Sequence, residues 1–317
     1  MTHVKANQDA LVTGRVNEPL PESAFTAGHE IALDFARSVR NARLRLENAG
    51  AGLARLAPAI RALRHIEAQL LRPLRLAVLG EFNSGKSTLA NLMVGNAPLP
   101  TLQISNTRIP TLLHYESDPV VTAVSRRGIS QALSPTTREM PPDTIRIHVG
   151  LPIPHLRACE IVDFPGFADP WLTYGILDIS RHPVDAAIWC TFSTQAWKES
   201  ESTAWRILPA RIRANGLLAV TNQDLLMDDQ IPKVMARIQN VAGSDFKQFA
   251  LLSALQGRKA LNERGEVRDP ELWQTSGAED FYLRVQRLLS AIRHHRLEKA
   301  KTLTSDIAGS ALKFLGT

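Results

Sequence analysis

The sequence predicts an α/β protein in which helices cover a mostly parallel central sheet. Short apolar runs of strand length alternate with segments of helical periodicity from residue 74 to residue 253, and this alternation is typical of parallel sheets covered on both faces. A glycine-rich loop also joins the first predicted strand to a helix. The 317 residues, 44% hydrophobic and 21% charged, suffice for one large domain with additional helices and exclude disorder throughout.

Outside this α/β region, the sequence predicts an N-terminal tail and a helical segment on each side of the region. Residues 1–22 are polar and predict a flexible N-terminal tail, whereas residues 23–72 carry two apolar stripes with helical spacing and predict a helical hairpin. The α/β domain is expected at 73–256, and a further stripe predicts a C-terminal helical segment at 257–317. Because the two ends of a domain often lie close together, the flanks are expected to pack as one bundle or neck.

Eight strands are predicted in the α/β region, each as a short apolar run bounded by turn residues. Helices are expected at 85–94, 199–208 and 231–241. The stretch 128–143 is rich in Pro, Ser and Thr and predicts a surface loop. The expected strands are residues 75–80, 111–115, 120–125, 145–149, 158–163, 186–191, 217–221 and 249–253.

Charge and cysteine content limit the classes of partner and compartment. Lys and Arg number 37 against 31 Asp and Glu, a net charge of +6 that suits nucleic acid, acidic lipid or nucleotide phosphate. Cys159 and Cys190 are too few for a disulfide framework and lie in predicted strands, so we expect buried, reduced thiols. No signal-peptide core or membrane-spanning run is visible, which predicts a cytoplasmic protein, at most peripheral at the inner face of the membrane.

The glycine-rich loop matches the pattern G-x-x-x-x-G-K-S/T between a predicted strand and a helix, which is the context that phosphate binding requires. Backbone N–H groups of such a loop surround the β-phosphate, and the helix N-terminus adds its positive dipole end. Lys86 is expected to contact β- and γ-phosphate oxygens, and the Ser87 hydroxyl to ligate Mg²⁺. The predicted nucleotide-binding residues here are Gly80, Asn83, Ser84, Gly85, Lys86, Ser87 and Thr88.

A second motif, D-x-P-G, ends the strand predicted at 158–163. Asp163 is a candidate to hold Mg²⁺ through water, and the Gly166 N–H is a candidate donor to the γ-phosphate. The alternative is an ordinary Asp-x-Pro-Gly turn.

Two further loops predict that the base is guanine. The sequence TNQD follows an apolar strand, and Asp224 can accept two hydrogen bonds from guanine N1–H and N2–H₂. Thr221 and Asn222 complete that loop, although Asn222 replaces the lysine that is common there, and Asp224 as a helix cap is the alternative. Ser253 and Ala254 end another strand, as in loops that contact guanine O6. ATP binding stays open as a weaker alternative.

With these motifs in place, the chain resembles a bacterial dynamin-like GTPase. The resemblance covers roughly residues 73–256 and is carried by GEFNSGKSTLANLMVG, LPT followed by NTRIPTLLHY, the stretch that ends in IVDFPGF, TQAWKESE, TNQD and LSAL. It implies a P-loop GTPase domain with a flanking helical neck. It also implies that the domain hydrolyses GTP with Mg²⁺.

The resemblance assigns roles to particular residues. Thr107 matches the switch threonine that ligates Mg²⁺ and orients water, so the implied metal residues are Ser87, Thr107 and Asp163. Phe167 stands where Ras-like GTPases carry a water-orienting Gln. Asn83 stands where cation-dependent GTPases bind K⁺, which makes K⁺ a candidate cofactor, the alternative being that Asn83 only shapes the loop. The implied catalytic residues are Lys86, Asn83, Thr107 and Gly166.

The resemblance also implies partners. We expect GTP, a homodimer through the GTPase domains or a hetero-oligomer with a longer dynamin-like protein, and an anionic membrane surface, but no nucleic acid. Dimerisation would depend on the nucleotide and would move the helical neck in membrane binding or remodelling. The basic segment 284–301 is either a lipid contact or the solvated face of a neck helix. The alternative function is a soluble regulatory GTPase that docks on a protein or ribosomal partner.

Overall fold

The computed structural model describes residues 20–49, 54–95, 109–134, 137, 140–166 and 183–315. Within these ranges a nine-stranded sheet is flanked by helices, which confirms the predicted α/β class. The strands are β1 (Leu74–Gly80), β2 (Thr111–Tyr115), β3 (Val120–Ser125), β4 (Ser130–Ala132), β5 (Thr144–Leu151), β6 (Cys159–Asp163), β7 (Ala186–Phe192), β8 (Gly216–Thr221) and β9 (Phe249–Leu251). The described helices are α1 (Leu20–Thr26), α2 (His29–Ala49), α3 (Ala57–Leu71), α4 (Lys86–Met93), α5 (Glu199–Ile207), α6 (Ala210–Arg213), α7 (Ile231–Ala242), α8 (Ala254–Lys259), α9 (Pro270–Thr275) and α10 (Ala278–Leu315).

The sheet is parallel on the side that carries the predicted motifs. Its order is β4-β3-β5-β2-β6-β1-β7-β8-β9, and β6, β1, β7, β8 and β9 all run in the same direction. On the other side β2 is antiparallel to β6, and β3 is antiparallel to both β5 and β4. The carboxyl ends of the five parallel strands therefore share one edge, which is where ligands bind in open α/β sheets.

The eight predicted strands are present with ends that differ by at most two residues, and one strand was not predicted. Strand β4 falls in the stretch 128–143, so the prediction of a continuous loop there is wrong over three residues. All three residues of β4 are exposed, and the strand pairs with β3 at the sheet edge. A strand without a buried face carries no apolar alternation, so periodicity could not reveal it.

Strand β1 shows how the sheet is buried on both faces. Leu76 and Val78 belong to one apolar core, whereas Ala77 and Leu79 belong to the core on the opposite face. This follows from the pleat, since successive side chains of a strand point to opposite sides. Cys159 and Cys190 are also buried as free thiols, as their positions in strands predicted.

Helices from both ends of the described chain pack together beside the sheet. Helices α2, α3 and α10 share an apolar cluster that includes Val39, Leu63 and Leu297. The Arg43 guanidinium on α2 also lies 3.0 Å from the Glu67 carboxylate on α3. Among the helices that the structure describes, none combines the length and the apolar character needed to cross a bilayer.

Candidate functional site

The glycine-rich loop after β1, residues 80–87, is called the phosphate loop below, after the role that its motif predicts. At two of its positions the backbone has a conformation that only glycine accommodates. Gly80 has φ 141°, and a Cβ there would lie 2.2 Å from the Cys190 carbonyl oxygen. Gly85 has φ 85° and immediately precedes α4. Positive φ is strained for residues that carry a side chain. The glycines therefore allow the loop to turn tightly against β7 and to lead directly into the helix N-terminus, as the motif predicted.

Lys86 lies inside this loop rather than in solvent. The residue is 7% exposed, and its Nζ donates a hydrogen bond to the Glu81 carbonyl oxygen at 2.5 Å. Burial lowers the pKa of Lys86, and the nearby acidic groups, Asp163 and Glu81 among them, oppose that effect. A buried ammonium group beside a glycine loop is a strong site for an anion.

The D-x-P-G motif meets the phosphate loop at the end of β6. The Ser87 hydroxyl donates to Asp163 Oδ2 at 3.0 Å, while Asp163 Oδ1 is buried and has no hydrogen-bond partner among the described residues. Burial raises the pKa of Asp163 to about 6, against the opposing effects of Ser87 and Lys86. A hydroxyl beside a carboxylate with an unpaired oxygen is a donor set that fits Mg²⁺.

Gly166 lies directly against the phosphate loop. A Cβ at this position would lie 2.7 Å from the backbone nitrogen of Phe82 and 3.1 Å from Lys86 Nζ. The close approach needs a glycine here. A cavity of about 500 Å³ opens at this point. Its lining includes predicted residues from both motifs, namely Asn83, Gly85, Lys86, Ser87, Thr88, Asp163 and Gly166, together with Asn222.

The TNQD loop is attached to the phosphate loop through its threonine. The Thr221 hydroxyl lies 2.8 Å from the Ser84 carbonyl oxygen and 3.1 Å from that of Thr191. Thr221 is 2% exposed, so the side chain fixes the position of the loop and has no room to meet a base. Asn222 adopts φ 60°, and its carbonyl accepts a hydrogen bond from Ser193 at 2.9 Å.

Asp224 is available to a ligand. Its side chain is exposed, and among the described residues it makes no hydrogen bond that would cap a helix. A small cavity of about 50 Å³ brings it together with the predicted base-contacting residues Thr221, Asn222, Ser253 and Ala254, beside Gly85 and Thr88. The Ser253 hydroxyl accepts from the Gln256 N–H at 3.3 Å and so caps α8.

The part of the chain that contains the glycine-rich loop and the D-x-P-G motif matches a known family. Residues 76–204 match the model of the dynamin family, a stretch that begins in β1 and includes the phosphate loop and the D-x-P-G motif. The similarity to the dynamin family therefore covers both of these motifs. The resemblance to bacterial dynamin-like GTPases predicted from the motifs is thereby confirmed.

Individual relatives agree with this assignment. Dynamin-like protein 2 of Campylobacter jejuni is 27% identical over 215 residues, which cover 64% of this chain and 34% of the relative. A structure of an oligomerised bacterial dynamin pair covers 95% of this chain and 58% of its own, with a TM-score of 0.61 at 14% identity. LeoA, a bacterial dynamin GTPase from ETEC, covers 92% and 48%, with a TM-score of 0.51 at 15% identity. The structural likenesses show the fold, and the chain spans about a third to three fifths of the length of these proteins.

Two residues named from the family pattern, Thr107 and Phe167, lie outside the described residues. The segment TQAWKESE, residues 194–201, contributes to the family resemblance, but the sequence predicts no role for it. Within the stretch that matches the dynamin family, this segment contains Glu201, which is 2% exposed. The Glu201 carboxylate accepts from Trp189 Nε1 at 3.0 Å and from the Thr191 hydroxyl at 2.9 Å. Because these partners lie on a different element, no local pattern could reveal the contact.

Proposed function

We propose that this chain binds GTP and, with Mg²⁺, hydrolyses it to GDP and phosphate. The observation that carries the proposal is the convergence of Lys86, the Ser87 hydroxyl and the unpaired Asp163 carboxylate oxygen at one cavity. This combination supplies a cation for phosphate oxygens and hard oxygen ligands for a divalent ion. The phosphate-binding residues proposed are Gly80, Asn83, Ser84, Gly85, Lys86, Ser87 and Thr88.

The predicted site residues are each proposed to act on a part of the triphosphate or on the ion that accompanies it. Lys86 would release the Glu81 carbonyl and bind phosphate oxygens, and the Gly166 N–H would donate to the γ-phosphate. Ser87, Asp163 and Thr107 are the proposed Mg²⁺ residues, and the ion supplies positive charge at the reacting phosphate when it is bound. Thr107 is further proposed to orient the attacking water through its carbonyl. Fixed donors of this kind stabilise charge that develops in the transition state.

We further propose that Asp224 selects guanine by accepting hydrogen bonds from N1–H and N2–H₂, with Thr221, Asn222, Ser253 and Ala254 forming the surrounding loops. The Asp224 carboxylate supports this role, because it is exposed and caps no helix among the described residues. The test is displacement of a fluorescent GTP analogue by GTP, GDP or ATP. We expect ATP to compete about a hundredfold less well. Equal competition by ATP would instead indicate an ATPase.

A pair of matched variants tests the role of Asp224 itself. Asp224→Ala is expected to weaken GTP binding by about tenfold to a hundredfold, because guanine then loses its acceptor. Asp228→Ala removes a carboxylate that is likewise exposed and lies four residues further along the chain. That control is expected to bind GTP as the wild type does. Equal losses in both variants would mean that net charge, rather than guanine recognition, is responsible.

Asn83 is proposed to hold K⁺ beside the phosphates. The residue is exposed, has φ 61°, and lines the cavity that contains Lys86. We expect GTP hydrolysis to be faster in K⁺ than in Na⁺, and the ratio of the two rates to fall to about one in Asn83→Ala. Asn83→Gly keeps the left-handed backbone free of strain. A K⁺ effect that persists in both variants would contradict the cation site.

We propose that nucleotide binding pairs two GTPase domains and moves the helical flank. Phe82 in the phosphate loop is 60% exposed at the cavity, and an exposed aromatic side chain is typical of an interface anchor. The measurement is sedimentation velocity with a non-hydrolysable GTP analogue, GDP or no nucleotide. A dimer that forms with the GTP analogue alone would support the proposal, and an unchanged monomer would contradict homodimerisation and favour a longer dynamin-like partner.

The process served is proposed to be membrane binding or remodelling. The dynamin pair to which this fold is similar is described as providing a mechanism for the long-range sensing and tethering of membranes. Co-sedimentation with anionic liposomes, across nucleotide states and a salt series, tests this proposal directly. Nucleotide-dependent pelleting would support it. Its absence at every salt concentration would favour a regulatory switch that docks on a protein or ribosomal partner.

A further inference from the structure

The carboxylate of Glu81, in the phosphate loop, is held by Lys198, which directly precedes α5, and by Ser200 in the first turn of α5. Lys198 Nζ lies 3.0 Å from Glu81 Oε2, and the Ser200 hydroxyl donates to Glu81 Oε1 at 2.5 Å. Both carboxylate oxygens are therefore occupied. The contact joins positions that are 117 and 119 residues apart in the chain, so it fixes the loop against a distant element.

The backbone of Glu81 holds the lysine that faces the phosphates. Its carbonyl accepts the hydrogen bond from Lys86 Nζ. Burial raises the pKa of the Glu81 carboxyl, but the hydrogen bonds from Ser200 and Lys198, with a smaller contribution from the Lys86 charge, lower that pKa below its ordinary value. The Glu81 carbonyl thus helps to fix the position of the Lys86 ammonium group. The negative charge of the Glu81 carboxylate would also repel a nucleoside triphosphate if no cation compensated that charge.

Lys198 is presented from a firmly packed base. Its backbone N–H donates to Glu201 Oε2 at 2.9 Å, and Glu201 is itself bonded to Trp189 and Thr191 on β7. The preceding residue, Trp197, is 6% exposed and packs its ring edge-on against Trp189. The backbone of Lys198 is therefore anchored to the core of the domain, and its side chain reaches from there to Glu81.

We propose that Lys198 and Ser200 are positioning residues for the phosphate loop, which fix Glu81 and neutralise its charge beside the phosphate site. The inference rests on the proposed GTP-binding function. Removal of the ammonium group leaves the Glu81 carboxylate uncompensated near the phosphates. Because GTP carries more negative charge than GDP, the loss of affinity is expected to be larger for GTP.

The experiment compares Lys198→Met, Lys198→Arg and the double variant Glu81→Gln/Lys198→Met by titration with GTP and GDP. Lys198→Met is expected to weaken GTP binding about fivefold, as for a half-exposed ion pair of up to about 1 kcal/mol. Lys198→Arg retains the charge and is expected to bind like the wild type. The double variant removes the repelling carboxylate and is expected to recover most of the lost affinity. Lys233→Met is the matched control, since Lys233 is exposed and pairs with Asp229, which lies four residues earlier in the chain.

Hydrogen exchange of residues 80–87 without nucleotide provides a readout that does not depend on GTP binding. Faster exchange in Lys198→Met and in Ser200→Ala, at an unchanged melting temperature, would support the positioning role. Unchanged exchange, or a double variant that binds GTP no better than Lys198→Met, would overturn it. Absence of GTP binding by the wild type would contradict the proposed function instead, and the exchange data would still decide whether Lys198 fixes the loop.

Discussion

The two ends of strands β1 and β7 are built from different kinds of sequence. At their carboxyl ends lies the phosphate loop, in which Lys86 and its neighbours follow one another along the chain. At their amino ends lies Asp185, whose carboxylate accepts from Arg72 at 2.7 Å, from Arg296 at 2.8 Å and from the Arg75 N–H at 2.9 Å. One end is a contiguous motif, whereas the other is an ionic junction assembled from distant residues.

This difference assigns a different task to each end. The carboxyl end has a cavity, a buried ammonium group and a carboxylate oxygen that has no partner among the described residues, all of which a ligand could complete. At the amino end Asp185 is already paired, and helix α10 supplies Arg293, which is 5% exposed and donates to the Ala158 carbonyl oxygen at 3.0 Å. We therefore expect substitutions at the carboxyl end to change nucleotide binding and those at the amino end to change stability.

Asp185→Ala is expected to have the largest effect. It leaves the guanidinium groups of Arg72 and Arg296 without their shared carboxylate, which for a largely buried junction costs about 3 kcal/mol of the free energy of unfolding. Urea unfolding measures the change, and Asp229→Ala, in an exposed pair, should stay within about 0.5 kcal/mol of the wild type. If Asp185→Ala weakened GTP binding but left the free energy of unfolding unchanged, the assignment of stability to the amino end and of nucleotide binding to the carboxyl end would be wrong.

Lys86→Ala tests the opposite end. We expect GTP affinity to fall by about a hundredfold or more, equivalent to about 2.7 kcal/mol, because the buried cation for the phosphates is lost. The free energy of unfolding should not fall, since the substitution removes a charge whose burial is unfavourable. Calorimetric titration gives the affinity, with Lys233→Ala as an exposed control. Unchanged GTP binding would contradict the assignment of this cavity to the phosphates.

A pH dependence of stability is expected near the amino end, at His155. The ring is 6% exposed and stacks on Phe25 with centroids 4.6 Å apart, and burial lowers the pKa of His155 from 6.5 to about 4. The unfolded chain therefore binds a proton that the folded chain excludes, so this stability is present above pH 6.5 and is lost as the pH falls towards 4. Between pH 7.5 and 5 the loss should be about 2 kcal/mol.

Urea unfolding across that pH range measures the effect. His155→Asn has no group that titrates there, so its stability should fall by about 2 kcal/mol less than that of the wild type between pH 7.5 and 5. The comparison of the two slopes removes the contribution of the other histidines. Parallel slopes would mean that His155 does not resist protonation in the folded protein.

The same comparison explains how much the sequence could predict. A short apolar run predicts strand β1 and the G-x-x-x-x-G-K-S pattern predicts the loop after it, because a buried strand and a phosphate-binding turn both impose a local pattern. For segment 284–301 the sequence predicts a lipid contact or a solvated helix face, and the solvated-face interpretation is wrong for Arg293, which is buried against α1 and the residue before β6. Nothing in the sequence around Arg293 identifies its partners, since they are backbone carbonyls more than a hundred residues away.

Helix α10 connects the two ends, because it begins near the TNQD loop and later supplies Arg293 and Arg296. Gln223 Nε2 donates to the Thr275 carbonyl oxygen at 3.2 Å, just before the helix begins. Gln223→Ala is expected to cost less than about 1 kcal/mol of stability, as for one exposed hydrogen bond, and to weaken GTP binding about twofold by loosening the loop. Titration and urea unfolding of this variant are compared with those of Gln274→Ala, at an exposed position in α9. Identical results for the two variants would mean that the TNQD loop and helix α10 are not coupled through Gln223.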